Sequence, residues 1–172
     1  MRSERKADAD RMSADWLAKN PTDLVMRGYL AERALAEKRF ADAKTLFTRM
    51  HEMAPQNALI LNNLAWTAKE LKDPKALKYG EQALRIAPEN PAIIDTVGMI
   101  QVERGDFEAG IANLKRAVAL GPDLLPLQRN LAKALARAGR GAEARSQLEA
   151  LLPRLKEGTP LHGEAVALQK TL

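Results

Sequence analysis

The sequence predicts an all-α fold, a solenoid in which antiparallel helix pairs stack on one another. The composition favours helices, because Ala, Leu, Glu, Lys and Arg lose little free energy on entering one. Of the 172 residues, 46 % are hydrophobic, 28 % are charged and only 4 % are aromatic. A repeat with a period of about 34 runs through the chain, which indicates stacked copies of one small unit.

Three sets of corresponding residues share this period. The first set consists of prolines that follow Asn, Ala or Gly, and their sequence numbers differ by 34, 33 and 34: Pro21, Pro55, Pro88 and Pro122. The second set consists of paired residues with the same differences: Leu30-Ala31, Leu64-Ala65, Val97-Gly98 and Leu131-Ala132. The third set consists of small residues whose numbers differ by 33, 34 and 34: Ala43, Ala76, Gly110 and Ala144. One repeat is therefore a residue short, and the spacing places the deletion in the turn Leu71–Pro74.

Local signals divide each repeat into two helices. Asn57, Asn90 and Thr159 are positioned to cap helix N-termini, and Pro91 and Pro160 follow the last two at the first helical position. Asp73-Pro74 is expected to start a second helix in the same way. Glycine turns at Gly105-Asp106 and Gly139–Gly141 separate the paired helices. The small residues of the second and third sets are expected to let the two helix backbones approach closely.

These signals predict a single solenoid domain over residues 1–172. Its parts are an unpaired N-terminal helix, four repeats and a C-terminal capping helix, over residues 3–20, 24–57, 58–90, 91–124, 125–158 and 159–172. Met12, Trp16 and Leu17 are expected to dock the first helix on the first repeat. Leu161, Val166 and Leu168 are expected to form the apolar face of the last helix. An array that begins with half a unit suggests a trimmed segment or a longer parent protein.

The pattern resembles the tetratricopeptide repeat (TPR) family. The third repeat carries the resemblance in Val97-Gly98, Phe107, Gly110, Ala117 and Pro122, and the first repeat in Leu30-Ala31, Phe40, Ala43, Phe47 and Pro55. The family's tryptophan early in the first helix is absent, and Gly80 replaces a large residue. We expect Gly80 to bring neighbouring helices close together. The resemblance implies a right-handed TPR-type α-solenoid whose first helices form a concave groove that binds peptides or helices.

A narrower resemblance concerns TPR proteins associated with bacterial PEP-CTERM/exosortase export systems. It is carried by Leu61–Trp66, Ala87–Pro91 and Asp95–Gly98, whereas Met99 stands where that subfamily has a second tryptophan. This resemblance implies a bacterial periplasmic or envelope location, and without it the chain is expected to be cytoplasmic.

The groove positions of the family, carried over to this chain, hold side chains that could bind a partner in three ways. Trp66 and Met99 would form an apolar shelf, Asn62 and Asn63 would hold a peptide backbone, and three cations four residues apart would form a strip for carboxylates. The candidate partner-binding residues are Tyr29, Glu32, Asn62, Asn63, Trp66, Lys69, Asp95, Met99, Arg129, Lys133 and Arg137. The cationic strip consists of Arg129, Lys133 and Arg137.

Each of these assignments has a structural alternative. Trp66 is as readily covered by a neighbouring helix as exposed in the groove. The cationic strip can be a solvated face paired with glutamates. Asn63 and Asn130 are expected to bond neighbouring backbone rather than a ligand. The chaperone-binding carboxylate clamp of this family needs Lys and Asn where this chain has Gly28 and Glu32, so that mode of binding is not expected.

Other function classes lack their signals. His51 and His162 lie in separate repeats and in no metal or nucleophile motif, so no enzyme, metal site or cofactor is expected. The net charge is +5 but aromatic residues are few, so no nucleic-acid partner is expected. No segment has the roughly 20 apolar residues needed for membrane insertion. The sequence therefore predicts a non-enzymatic scaffold that binds a protein or peptide, with unknown oligomeric state, and the alternative is a purely structural segment of a longer TPR scaffold.

Overall fold

The computed structural model describes the backbone of residues 2–172 and the side chains of residues 8–172. Its ten α-helices follow one another as α1 (Arg2–Lys19), α2 (Leu24–Ala36), α3 (Phe40–Met53), α4 (Ala58–Glu70), α5 (Ala76–Ile86), α6 (Pro91–Glu103), α7 (Phe107–Leu120), α8 (Leu125–Arg137), α9 (Gly141–Leu151) and α10 (Pro160–Lys170). A short 3-10 helix, Leu152–Arg154, follows α9. No strand is present in the described residues, which confirms the all-α solenoid of helix pairs.

The predicted capping residues act as expected. The side chain of Asn57 accepts from the backbone N–H groups of Leu59 and Ile60, and Asn90 and Thr159 cap α6 and α10 in the same way. Asp23 also caps α2, and its carboxylate further accepts the indole N–H of Trp16 at 2.7 Å. These bonds fix where each of the four helices begins, because a helix start leaves backbone donors without partners.

The turns inside the repeats share one geometry. In each, the second residue after the helix has a positive φ, at Lys38 (57°), Lys72 (54°), Gly105 (90°) and Gly139 (75°). The next N–H bonds back five residues, as from Arg39 to the carbonyl of Ala34 at 2.8 Å. This is the Schellman motif, which normally uses glycine because other residues pay a steric cost at positive φ. The first two repeats place lysine there instead.

Small residues bring the helices of a pair together, as the sequence predicted. A Cβ added to Gly110 would lie 2.7 Å from the carbonyl oxygen of Gly98, so α6 and α7 pack backbone to backbone. A Cβ on Gly80 would lie 3.0 Å from Val97 Cγ2, which confirms the close approach of α5 to α6. The apolar core is a row of small clusters between successive helices, with Phe47, Leu64, Ile94, Leu114 and Leu148 fully buried.

Two local predictions need correction. Helix α5 does not begin after Asp73-Pro74 but at Ala76, because residues 74 and 75 form a turn in which Asp73 accepts from the N–H of Lys75 at 2.8 Å. The docking of α1 is also slighter than predicted, since Met12 is 70 % exposed and Trp16 48 % exposed. At the other end, Leu161 and Leu168 of α10 pack on the last core cluster as expected.

Candidate functional site: the inner face of the first helices

The first helices of repeats two to four lie side by side along one face. Helix α4 contacts α6, and α6 contacts α8, whereas the second helices α3, α5, α7 and α9 make at most marginal contacts with one another. Elements that are closer together occupy the inside of a curved stack. We call the surface formed by α2, α4, α6 and α8 the inner face, and all eleven predicted site residues lie on these helices.

The repeat places these residues in rows across the inner face. Asn62, Asp95 and Arg129 occupy the same position in three successive repeats, each one period from the next. One position further along, Tyr29 corresponds to Asn63 and Asn130, and three positions beyond that, Glu32 corresponds to Trp66, Met99 and Lys133. The chemistry of a row therefore changes from one repeat to the next while its spacing stays constant.

Trp66 is half-buried and held from two sides. The ring of Phe40 meets it edge-on, with centroids 5.7 Å apart and planes at 73°. The ammonium of Lys69 lies 5.7 Å from the centroid of the indole ring, within cation–π range. The indole is thus neither sealed in the core nor free to turn. Met99 is half-buried against the neighbouring cluster that contains Val102 and Leu114. A shelf shared by Trp66 and Met99 stays a prediction.

Asp95 and Asn130 link α6 to α8. The Nδ2 group of Asn130 donates to Oδ2 of Asp95 at 2.8 Å, so Asn130 bonds a side chain of the preceding repeat and not the neighbouring backbone as expected. The other carboxylate oxygen, Oδ1, is buried without a hydrogen-bond partner in the described residues. Burial raises the pKa of Asp95 to about 6, although Asn130, Arg129 and Lys69 each act to lower it.

The remaining polar residues of the inner face are incompletely paired. Asn62 Oδ1 and Arg129 Nε are buried without a partner among the described atoms. The backbone carbonyl of Asn63 accepts a hydrogen bond from the hydroxyl of Thr67 at 2.6 Å. Tyr29 and Glu32 on α2 are exposed to solvent. Repeat one therefore adds exposed side chains to the inner face, whereas repeats two and three add half-buried ones.

The cationic strip is divided by its carboxylate partners. Arg129 forms a 2.7 Å ion pair with Glu164 of α10, and Arg137 lies 4.0 Å from Glu103 of α6. Lys133, between them, is exposed and forms no ion pair with a described carboxylate. The alternative of a solvated face paired with glutamates therefore applies to two of the three residues.

A cleft that the sequence did not indicate opens where α4 and α6 end. It has a volume of 470 Å³. Its lining includes two predicted site residues, Lys69 and Arg137, and it extends over the turn between α4 and α5: Lys69, Lys72, Asp73, Pro74, Ala76, Ile100, Glu103, Arg104 and Arg137. We call it the turn cleft. Its one signal in the sequence is the residue missing from Leu71–Pro74.

The comparisons with known proteins agree with this geometry. Residues 101–167 match the family model described as Tetratricopeptide repeat. This segment is therefore similar to tetratricopeptide repeats. The match covers the end of α6 through α10, and α2–α5 repeat the same helix-pair geometry before it. A comparison with curated proteins finds no match.

Solved structures, among them TPR proteins, share the fold over most of the chain. TTC0263, a TPR protein of Thermus thermophilus, is 20 % identical and superposes with a TM-score of 0.78 over 92 % of this chain and 87 % of its own. A MamA structure from Desulfovibrio magneticus RS-1 is 18 % identical, with a TM-score of 0.71 over 88 % of each chain. YrrB, described as a TPR protein with an unusual peptide-binding site, is 16 % identical, with a TM-score of 0.69 over 97 % of this chain and 86 % of its own. At these identities the likeness establishes the fold alone.

Two further searches of the described residues concern other kinds of site. No group of three or more His, Asp and Glu residues is arranged to hold a metal ion there. No helix in that part of the chain combines the length and apolar character needed to cross a bilayer.

Proposed function

We propose that this TPR solenoid is a protein–protein interaction scaffold that binds a partner peptide or helix along its inner face. The observation that carries the proposal is the position of Trp66. It is half-buried on α4, a helix of the inner face, and Phe40 and Lys69 hold its ring. Tryptophan in such a setting is typical of binding hot spots, because it contributes a large contact area with little loss of side-chain freedom.

The incompletely paired row supports the same function. Asn62 Oδ1, Asp95 Oδ1 and Arg129 Nε occur at one position in α4, α6 and α8, and each lacks a hydrogen-bond partner among the described residues. Buried polar atoms without partners are costly. Backbone groups of an extended partner segment would pair with them after small side-chain rotations. Packed helices lie roughly 8–10 Å apart and an extended chain rises about 3.3 Å per residue, so one repeat would span about three partner residues.

A purely structural role is the second candidate, and the bonds between the first helices favour it. Asn130 bonds Asp95, and Glu103 lies 3.8 Å from Lys69 and 4.0 Å from Arg137, so several candidate groove residues join one repeat to the next. The location in an envelope or export assembly rests on the PEP-CTERM resemblance alone and stays a prediction.

The two candidates separate in a pull-down from the lysate of the source organism. We expect Trp66→Ala to weaken recovery of a specific partner about thirtyfold, the effect of losing a hot-spot side chain worth about 2 kcal/mol. Lys133→Glu reverses an exposed charge in the same row and is expected to reduce recovery as well. Trp16→Ala removes the other tryptophan, which lies off the inner face, and is expected to leave recovery unchanged.

Circular dichroism of Trp66→Ala is needed beside the pull-down, because that substitution also removes the contact with Phe40. If Trp66→Ala and Lys133→Glu are folded and recover the same partners as the wild type, the inner face is not the binding surface and the structural role is favoured.

A further inference from the structure

The turn cleft exists because repeat two lacks an aromatic ring and a helical turn that its neighbours have. Helices α3 and α7 begin at Phe40 and Phe107. The corresponding residue of repeat two is Asp73, one period after Phe40 and one period before Phe107. Helix α5 begins only at Ala76, three residues later. Phe40 reaches across to Trp66 of the next repeat, whereas no ring extends from residue 73 towards α6, and a cleft is left open.

Cations outnumber carboxylates in this cleft. Lys69, Lys72, Arg104 and Arg137 line it, against Asp73 and Glu103. Asp73 is already bonded to Lys44, which lies outside the cleft. The carboxylate of Glu103 lies near two cations, 3.8 Å from Lys69 Nζ and 4.0 Å from Arg137 Nη1.

Two of these cations have no acidic partner in the part of the chain whose side chains are described. Within the described residues, neither Lys72 nor Arg104 forms an ion pair with a carboxylate, although Arg104 Nη1 lies 3.5 Å from the carbonyl oxygen of Pro74. Both side chains are exposed at the rim. The cleft therefore presents two separated positive charges to a ligand.

The floor of the cleft is apolar. Ile100 and Ala76 close it from α6 and α5, and Pro74 forms one wall. A fitting ligand would therefore carry an aliphatic group between anionic ones. A compact dianion such as phosphate fits less well, because Asp73 and Glu103 lie among the cations and would repel concentrated negative charge.

We propose that the turn cleft binds a short acidic segment of a partner protein, with carboxylates on Lys72 and Arg104 and an aliphatic side chain over Ile100 and Ala76. The cleft shares Lys69 and Arg137 with the predicted groove, so the nature of the partner rests on the proposed function. The peptide carboxylates are assigned to Lys72 and Arg104 and not to Lys69, which lies against Trp66, so binding at the cleft is testable separately.

The test is an NMR titration of the ¹⁵N-labelled full chain with the capped peptide Gly-Glu-Leu-Glu-Gly at low salt, where exposed charges are least screened. We expect the amide signals of Lys72 and Gly105 to shift in a saturable way. The double variant Lys72→Asn, Arg104→Gln is expected to weaken binding about fivefold, since each exposed ion pair contributes modestly. Asparagine at position 72 tolerates the positive φ of 54° and leaves the turn intact.

Lys38→Asn is the matched control, because Lys38 has the same turn geometry, with a φ of 57°, and does not line the turn cleft. It is expected to bind the peptide as the wild type does, and the uncharged peptide Gly-Gln-Leu-Gln-Gly is expected not to bind. No saturable shift, equal binding by the double variant, or equally effective competition by inorganic phosphate would each overturn the proposal.

Trp66→Ala distinguishes this proposal from the proposed function. We expect that variant to bind the acidic peptide with an unchanged Kd, and loss of peptide binding in it would place the peptide on the inner face instead. Peptide binding at the cleft, together with partner recovery that is independent of Trp66, would support the cleft while refuting the groove.

Discussion

At the scale of single residues, the carboxylate of Asp95 on the inner face is buried and only partly paired. One carboxylate oxygen accepts from Asn130 and the other is buried without a described partner. Desolvation outweighs the attraction of Arg129 and Lys69 and raises its pKa from 3.8 to about 6. At neutral pH the ionised carboxylate therefore opposes folding.

The sign of the resulting pH dependence follows from the proton count. The folded state holds the Asp95 proton more tightly than the unfolded chain, so its stabilising effect is complete below pH 3.8 and is lost as the pH rises through about 6. We expect Asp95→Asn, which cannot ionise, to raise the free energy of unfolding at pH 7.5 by about 2–3 kcal/mol and to change it little at pH 3.5. Urea unfolding at the two pH values measures this difference.

Asp106→Asn is the control for this comparison, because Asp106 is exposed and makes no capping bond. The Asp106→Asn variant is expected to be as stable as the wild type at both pH values. If Asp95→Asn is instead less stable than the wild type at pH 7.5, the hydrogen bond from Asn130 to the charged carboxylate contributes more free energy than burial of that charge costs.

At the scale of elements, the pair α6 and α7 depends on two glycines that face each other. A Cβ on Gly110 would lie 2.5 Å from Val102 Cγ2 and 2.9 Å from the backbone nitrogen of Val102. A Cβ on Gly98 would lie 2.9 Å from the carbonyl oxygen of Gly110. Backbone atoms cannot rotate out of the way as a side chain can, so any added methyl group must push the helices apart.

Gly110→Ala is therefore expected to destabilise the fold even though alanine favours helix more than glycine does. We expect a loss of about 2–3 kcal/mol, since overpacking outweighs the gain in helix propensity. Gly163→Ala is the matched control within α10, because nothing lies within 4 Å of the added Cβ. It is expected to stabilise by about 1 kcal/mol. Thermal unfolding of the two variants should shift in opposite directions, and a shift in the same direction would contradict the close packing.

The sequence predicted features that are set by residues close together in the chain. It missed features that are set by contacts between repeats. Asn57, Asn90 and Thr159 were recognisable as caps because a cap is a local device. Gly80 was recognisable as a close contact because it breaks the pattern of the repeat. The bond between Asn130 and Asp95 joins successive repeats, and the turn cleft needs the ends of α4, α6 and α8 in space. Neither follows from a period, which fixes the positions in a row but not which side chains meet.

At the scale of the whole molecule, each helix is stabilised by its immediate neighbours in the stack. Helices α4 to α8 have partners on both sides, whereas α1 packs mainly on α2. The exposure of Met12 and Trp16 shows how little apolar surface α1 buries. In such an array stability is close to a sum over repeats and the interfaces between them.

We accordingly expect amide hydrogen exchange to follow position in the stack. Amides of α4, α6 and α7 should exchange slowest, those of α10 faster and those of α1 fastest, because local opening costs least where least surface is buried. Exchange measured by mass spectrometry at native pH provides the profile. Uniform protection from α1 to α10 would mean that the solenoid opens only as a whole.

The glycine contact between α6 and α7 also bears on how the solenoid responds to force. The two helices of a pair pack more extensively on each other than adjoining pairs do, and among the described helices α6 and α7 pack the most extensively. Their backbones touch, so no side chain is available there to act as a compliant spacer. When the chain is pulled from its two ends, we expect the interfaces between successive helix pairs to yield first. The third repeat is expected to deform least.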